Sequence, residues 1–318
     1  MSDIKKKENV GSTHLMNSDQ MQDTGDEQVA GFFDSLSGVS RYIRMYFGPT
    51  PLASGTCFFV MSPDGPVLVT NRHNFTGRDN ITGKTLHKEC GIPDHAVVTL
   101  HGPEEVHYHI DLVDHDNPGA PSWVEHPTLG ARADIVALPV KEMANIIGER
   151  NSVSLDAVAK KGDWHRWDVG SELQVIGYPY GQIGGPFPIW SKGFMASEPD
   201  VDVAGLPIFL IDCRSRPGQS GSPVWARFRK GDVVTTKGKA YQAKETMNYF
   251  VGVYSGRLRG DSDLGLVWKR SCVEELVNHA TAHGTQHEME KRRHHFSATR
   301  SEDFSFDRSI HHDFEEIE

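Results

Sequence analysis

The sequence lacks what would tie it to a membrane, a nucleic acid or a disulfide scaffold. No apolar run approaches the ~20 residues that a bilayer-spanning helix needs. The opening segment MSDIKKKENVGSTHLMNSDQ carries lysines with no apolar core behind them, so it does not read as a secretory signal. Positive charge is scarce: 33 Lys and Arg face 43 Asp and Glu, a net charge of −10, and no basic block stands outside a short tail segment. Phosphate backbones are bound by clustered Lys and Arg, so nucleic acid is not an expected partner. Only four cysteines occur, Cys57, Cys90, Cys213 and Cys272, widely scattered and without a C-x-x-C pair. That argues against a zinc ribbon and a disulfide framework, and suits a reduced, cytoplasmic chain.

What is present is turn-rich and β-rich. The 318 residues include 31 Gly and 17 Pro, and 37% are hydrophobic, enough for a real core. Residues 1–28 are polar and without periodicity and read as a disordered extension. VAGFFDSLSG fits a short helix that carries Phe32, Phe33 and Leu36 onto a core. RYIRMYF alternates around Ile43, Met45 and Phe47. GTCFFVM and VLVTN flank an Asp64-Gly65 turn and read as a hairpin. After a polar connection near 144–168, short strands resume through SELQVIGYPYG, PIFLIDCRS, SGSPVWARF and NYFVGVYSGRL. Many short strands at this spacing indicate an all-β sandwich or barrels. SCVEELVNHA reads as one amphipathic helix, with Ser271 and Glu274 as a capping box and Val273, Leu276, Val277 and Ala280 on one face. Residues 284–318 read as a charged, His-rich mobile tail. Its pairs His294, His295 and His311, His312 are expected to be solvated rather than a dedicated metal site.

The stretch RPGQSGSPVW, 216–225, surrounds Ser220 with bend formers. It is either an ordinary turn entering a strand or a device for presenting one hydroxyl. A hydroxyl becomes a useful nucleophile only when a base takes its proton, and the base must be oriented by a third group. VLVTNRHNF puts His73 just after a hydrophobic strand, where a side chain can be both held and exposed; the plain alternative is one of 17 histidines without a role. ARADIVALPV puts Asp134 directly before an apolar strand, as a turn cap or as a buried carboxylate that fixes an imidazole tautomer. Gly218 can adopt positive φ, so that its N–H and that of Ser220 converge on one point. The G-x-S-x-G elbow of α/β-hydrolases is absent, and the chain order is the reverse of theirs.

In the order His73, Asp134, Ser220 on an all-β chain, the sequence resembles the trypsin-like (chymotrypsin-fold) serine peptidases, most of all the bacterial, non-secreted type. SGTCFFV, LVTNRH, ADIVALPV, VIGYPYG, PGQSGSPV, VGVYSG and LGLVW carry the resemblance, in the family's order, across residues 40–281. It implies two six-stranded β-barrels with the active site in the cleft between them and a carboxyl-terminal helix at 271–281. The implied domains are a first barrel over 29–145, holding His73 and Asp134, and a second barrel plus helix over 146–283, holding Ser220. Ser220 would attack the scissile carbonyl, His73 would act as general base and then acid, and Asp134 would orient His73. The Gly218–Gln219–Ser220 turn would supply the oxyanion hole. Tyr254, Ser255 and Gly256 would form the edge strand that pairs with a polypeptide substrate. Gly256 and Gly265 would leave the primary specificity pocket open to a large side chain. Arg214, six positions before Ser220, would stand at the pocket floor, or point to solvent if its loop differs in length.

Two departures accompany the resemblance. Gln219 stands where digestive members carry the Asp that pairs with a freed amino terminus, and Asn74 replaces the family's cysteine after the catalytic histidine. Both suit an enzyme active as made or switched by a protein regulator acting on the termini. No cofactor is implied. A peptide-binding pseudoenzyme and an esterase on the same machinery are the competing functions.

Overall fold

The computed structural model describes residues 33–100, 105–114, 119–148, 151–155, 168–214, 216–236, 239–258, 262–283 and 298–300. The expected amino-terminal extension and most of the expected tail, with its histidine pairs, lie outside the described residues. A 3₁₀ turn over Ser35–Gly38, capped by the Asp34 carboxylate, buries Leu36, while Phe33 is exposed. Of the short helix expected from VAGFFDSLSG, the described residues hold this turn with one apolar anchor, and Phe32 lies outside them.

The first half contains β1 (Ser40–Phe47), β2 (Thr50–Ser62), β3 (Gly65–Thr70), α1 (Arg72–Thr76), β4 (His95–Leu100), β5 (Val106–Asp111), β6 (Val124–Glu125), β7 (Val136–Pro139) and β8 (Val153–Ser154). Its strands follow the order β5-β4-β1-β2-β3-β7-β6, with β8 parallel to β2. The β2–β3 hairpin has the expected position: Ser62 faces Gly65, so Pro63 and Asp64 form the two-residue loop. In β1, Ile43 and Met45 point inward, but Phe47 at the strand end is exposed. The unbroken apolar run of β2 has a physical reason. Cys57 and Phe59 face the interior of the first half, while Phe58 and Val60 face a second core on the other side. A strand covered on both faces needs no polar alternation.

The second half contains β9 (Glu172–Gly177), β10 (Ile189–Met195), β11 (Ile208–Asp212), β12 (Pro223–Phe228), β13 (Val233–Thr236), β14 (Lys239–Gln242), β15 (Met247–Arg257), β16 (Leu264–Lys269) and α2 (Arg270–His283). Six of its strands close a barrel in the order β10-β11-β16-β15-β12-β9, and β13–β14 form a separate hairpin. The sheet of the first half runs instead to two edges. Its β6 is only two residues long, and its β5 edge receives β17 (Ala298–Arg300). The architecture is otherwise the expected one: all-β, one half before the other along the chain, and a closing helix.

The core between the halves is shared. Phe58, Val69 and Ile135 from the first half meet Trp225, Phe250 and Trp268 from the second, under Val273, Leu276, Val277 and Ala280 of α2. Each fully buried Val or Leu contributes about 1.5–3 kcal/mol, so α2 is held by several such contributions. The start of α2 differs from the expected capping box. The helix begins at Arg270, and Glu274 accepts a 2.5 Å bond from Arg270 Nε one turn earlier. No helix among the described residues is long and apolar enough to cross a membrane.

Candidate active site

His73 lies in the first turn of α1, a five-residue helix entered directly from β3. Gly77 stops the helix in the left-handed region, φ +62°, and donates its N–H to the His73 carbonyl. Asn71 in front of the helix is fully buried, and its Nδ2 donates to the Asp134 carbonyl at 2.7 Å. The two segments that carry His73 and Asp134 are therefore pinned together before either side chain is considered.

Asp134 is held between Ala133 and Ile135, both fully buried, and is itself 7% exposed. Its Oδ1 accepts the His73 backbone N–H at 2.9 Å. Its Oδ2 lies 2.6 Å from His73 Nδ1 and 2.5 Å from Ser255 Oγ. An ionised carboxylate can only accept, so Nδ1 and Ser255 Oγ are the donors. The imidazole is then the Nδ1–H tautomer, with Nε2 left as an acceptor. Burial alone would lower the His73 pKa. The Asp134 charge and hydrogen bond, with a smaller contribution from Asp79, outweigh it and hold the pKa above its ordinary value.

Ser255 reaches this carboxylate because β15 is irregular there. The register with β16 shifts between Tyr254 and Gly256, and the residue at the bulge is aimed out of the ladder. Sequence reading assigned Ser255 to substrate contact; in the structure its hydroxyl serves Asp134. The neighbouring edge is open in part: β12 pairs with β15 only as far as Val253, so Ser255 and Gly256 have no strand neighbour on that side among the described residues.

Ser220 sits in a turn fastened to the first half. The Thr56 N–H donates to the Ser220 carbonyl at 2.9 Å, and Thr56 Oγ1 donates to the Gly218 carbonyl at 2.8 Å. Asn74, next to His73, also donates to the Ser220 carbonyl. Thr70 links Thr56 to Asn74, donating to the Thr56 carbonyl and accepting from Asn74 Nδ2. Thr56, Thr70, Asn71 and Asn74 thus hold these segments together, a task that their sequence context does not assign. From the other side, Gly221 N–H donates to the Tyr254 carbonyl and Tyr254 N–H to the Ser222 carbonyl. Ser220 Oγ itself has no hydrogen-bond partner among the described residues.

The turn requires glycine twice. Gly218 has φ +92°, and a Cβ there would lie 2.3 Å from the Tyr178 carbonyl; Gly221 has φ +87°, and its Cβ would lie 2.0 Å from the Thr56 carbonyl. The N–H groups of Gly218 and Ser220 have no acceptor among the described residues. The Gln219 N–H, grouped with them in sequence, is instead given to the Arg216 carbonyl. Gln219 also anchors the turn with its fully buried side chain. Oε1 accepts the Arg216 N–H at 2.7 Å, and Nε2 donates to Ser191 Oγ on β10 at 2.6 Å.

Arg214 is exposed, Tyr254 is buried, and Gly256 has open space beside it. A pocket of about 310 Å³ opens beside His73, between Leu52 and Ala53 at the start of β2 and Leu86 and Pro93 after α1. A larger hollow around Trp190 and Arg227 touches none of the candidate residues.

The family model for the trypsin-like peptidase domain matches residues 55–235, more than half of the chain, a span that holds His73, Asp134 and Ser220. The chain belongs to the trypsin-like peptidase family. It is a serine-type endopeptidase by that membership. Similar solved structures include the active form of the Rv3671c protease of M. tuberculosis, at 18% identity over 77% of this chain and 81% of that one, TM-score 0.41. Two others are the serine endoprotease of Yersinia pestis, at 10% identity over 80% and 69%, TM-score 0.45, and the thermostable serine protease AL20 of an extremophilic microorganism, at 11% over 78% and 99%, TM-score 0.46. No curated protein matches the sequence of this peptidase. Three of the four cysteines are unsuited to act as nucleophiles, while Cys90 is exposed. Cys57, Cys213 and Cys272 are buried free thiols. Burial first, then neighbouring carboxylates, pushes Cys213 up to about 11 and Cys272 up to about 12.

Proposed function

We propose that the peptidase cleaves polypeptides through an acyl-enzyme on Ser220, with His73 as base and then acid and Asp134 as its orienting carboxylate. One observation carries the reading: the 2.6 Å contact of Nδ1 with a buried, ionised carboxylate, which leaves Nε2 as a free acceptor. With substrate in the cleft, Nε2 takes the Ser220 proton as Oγ attacks the carbonyl, and the two must meet at about 2.6–3.2 Å. The N–H groups of Gly218 and Ser220 receive the developing oxyanion, a contribution of roughly 10²–10³ per donor in other hydrolases. The proton then passes from Nε2 to the departing amine, and water repeats the sequence on the ester. The open edge at Ser255 and Gly256 supports pairing with an extended peptide backbone. The four free thiols support the reducing, cytoplasmic setting expected from the sequence.

A fluorophosphonate probe tests the nucleophile without a choice of substrate. Wild-type protein should be labelled at Ser220, and labelling should vanish in Ser220→Ala and His73→Ala. Folded wild-type protein that resists the probe would favour a peptide-binding pseudoenzyme; labelling with cleavage of esters but no peptide would favour an esterase.

The raised His73 pKa gives a second expectation. Only the neutral imidazole accepts a proton, and a raised pKa keeps the imidazolium populated to higher pH. The acid limb of kcat/KM should therefore have its midpoint above the ordinary histidine value of about 6.5. Asp79 raises the pKa by its charge, so Asp79→Asn should move the midpoint down. A rate that is flat from about pH 5 to 8 would remove His73 from the role.

A further inference from the structure

The interior of the second barrel next to the serine turn is occupied by one of the protein's own side chains. Tyr254 lies one hydrogen bond from the serine turn, through its carbonyl to Gly221 N–H and its N–H to the Ser222 carbonyl, both at 2.9 Å. Its ring turns inward and joins the barrel core with Ile211, Cys213 and Val267. Gly265 on β16 faces that ring. A Cβ built on Gly265 would lie 2.4 Å from Tyr254 Cε2 and 3.1 Å from Ile211 Cγ2. Glycine at 265 therefore makes room for the ring of Tyr254, not for a substrate.

Exposure decides whether a cavity remains. A pocket running into the barrel between the 214–220 turn and β15–β16 would leave one face of this ring open to solvent. Tyr254 is 1% exposed, and Cys213, directly before Arg214, is 3% exposed. Arg214 lies on the exposed surface of the turn. Gly256, with φ +116° and nothing near its missing Cβ, leaves room only at the surface.

The geometry points to Tyr254 as the residue that restricts the side chain on the acyl side of the scissile bond to a small one, of the size of Gly, Ala or Ser. The inference rests on Ser220 as the nucleophile. A larger side chain would have to displace a ring packed on all sides, and close-packed interiors yield poorly to added volume. A deep pocket distinguishes substrates by roughly 10–200-fold per methylene; here the same physics works by exclusion. The acidic or bulky side chains that an open pocket with Arg214 at its floor would select are disfavoured.

The test uses two peptidyl diphenyl phosphonates that differ only in Ala or Phe at that position, alongside the fluorophosphonate probe, on the full-length protein. Wild type should react with the Ala compound at least 100-fold faster than with the Phe compound. Tyr254→Ala should reduce that ratio at least tenfold by opening the space. Tyr254→Leu, a milder change for a variant that must fold, should reduce it in the same direction. If wild type is labelled by the fluorophosphonate but reacts with the Phe compound as fast as with the Ala compound, Tyr254 is no barrier and the inference is wrong while Ser220 stands. An unchanged ratio in both labelled variants would overturn it too. Wild type inert to the fluorophosphonate overturns the nucleophile first, and this assignment falls with it.

Discussion

Ser220→Ala is expected to lower kcat by roughly 10⁶, His73→Ala by a similar factor, and the double variant no further. Nucleophile and base act as one unit, and in a comparable serine hydrolase the single and combined losses are nearly equal. The proposed roles give the reason residue by residue. Without Oγ the free acceptor Nε2 has nothing to deprotonate, and without the imidazole the hydroxyl keeps its proton. Ser220 Oγ has no partner to lose, and the turn is held by the backbone bonds of Thr56, Gly221 and Ser222. Folding should therefore survive Ser220→Ala, and its melting curve should overlay that of the wild type. Steady-state hydrolysis of an Ala peptide, with enzyme concentration set by fluorophosphonate titration of the wild type, reads the effect. A loss below tenfold in folded Ser220→Ala would mean that the hydroxyl is not the nucleophile.

Asp134→Asn should lower kcat by about 10⁴ near neutral pH while leaving the fold in place. The carboxylate accepts three hydrogen bonds, from the His73 backbone, His73 Nδ1 and Ser255 Oγ. An asparagine keeps one oxygen and turns the other position into a donor. If its NH₂ faces the ring, Nδ1 must become the acceptor and Nε2 carries the proton, which is the wrong tautomer for a base. If it faces away, its oxygen still accepts from Nδ1 and Ser255 Oγ, but the NH₂ then meets the His73 backbone N–H as donor against donor, and the imidazolium formed during the reaction loses its counter-charge. Either arrangement spares the Gly218 and Ser220 donors, so residual activity should remain above that of the uncatalysed reaction. Comparing kcat/KM of wild type and Asp134→Asn on one peptide measures it. A variant within tenfold of wild type would show that another group orients His73.

Much of this site is legible in sequence because its chemistry is tied to residue type. A hydroxyl between glycines, a histidine after a strand and an aspartate before one are rare enough in that order to be read together. The all-β class and the apolar face of α2 follow from strand spacing and helical periodicity, whereas the closed second barrel is implied by the family resemblance. What escaped is set by packing across long separations. Thr56 and Asn74 look like ordinary polar residues; their side-chain bonds to the Ser220 turn span 162 and 146 positions in the chain. Ser255 is legible as part of an edge strand, but the aim of its hydroxyl at Asp134 depends on a bulge that alternation does not encode. By resemblance Gly265 stands at the specificity pocket, but a missing side chain does not say that the ring of Tyr254 lies against it. The sheet edges of the first half are equally silent, since they depend on β6 being short rather than on any residue type.

Thr56 has a consequence for the order of events during synthesis. It belongs to the first half, yet its N–H and hydroxyl support the carbonyls of Ser220 and Gly218, and it accepts the N–H of Tyr178. On the proposed assignment, the half that leaves the ribosome first carries base and carboxylate without the nucleophile, and the Ser220 turn gains the support of Thr56 only when both halves meet. A nascent or truncated chain is therefore expected to be inert toward its neighbours, with cutting power arriving when the last strands close over the first.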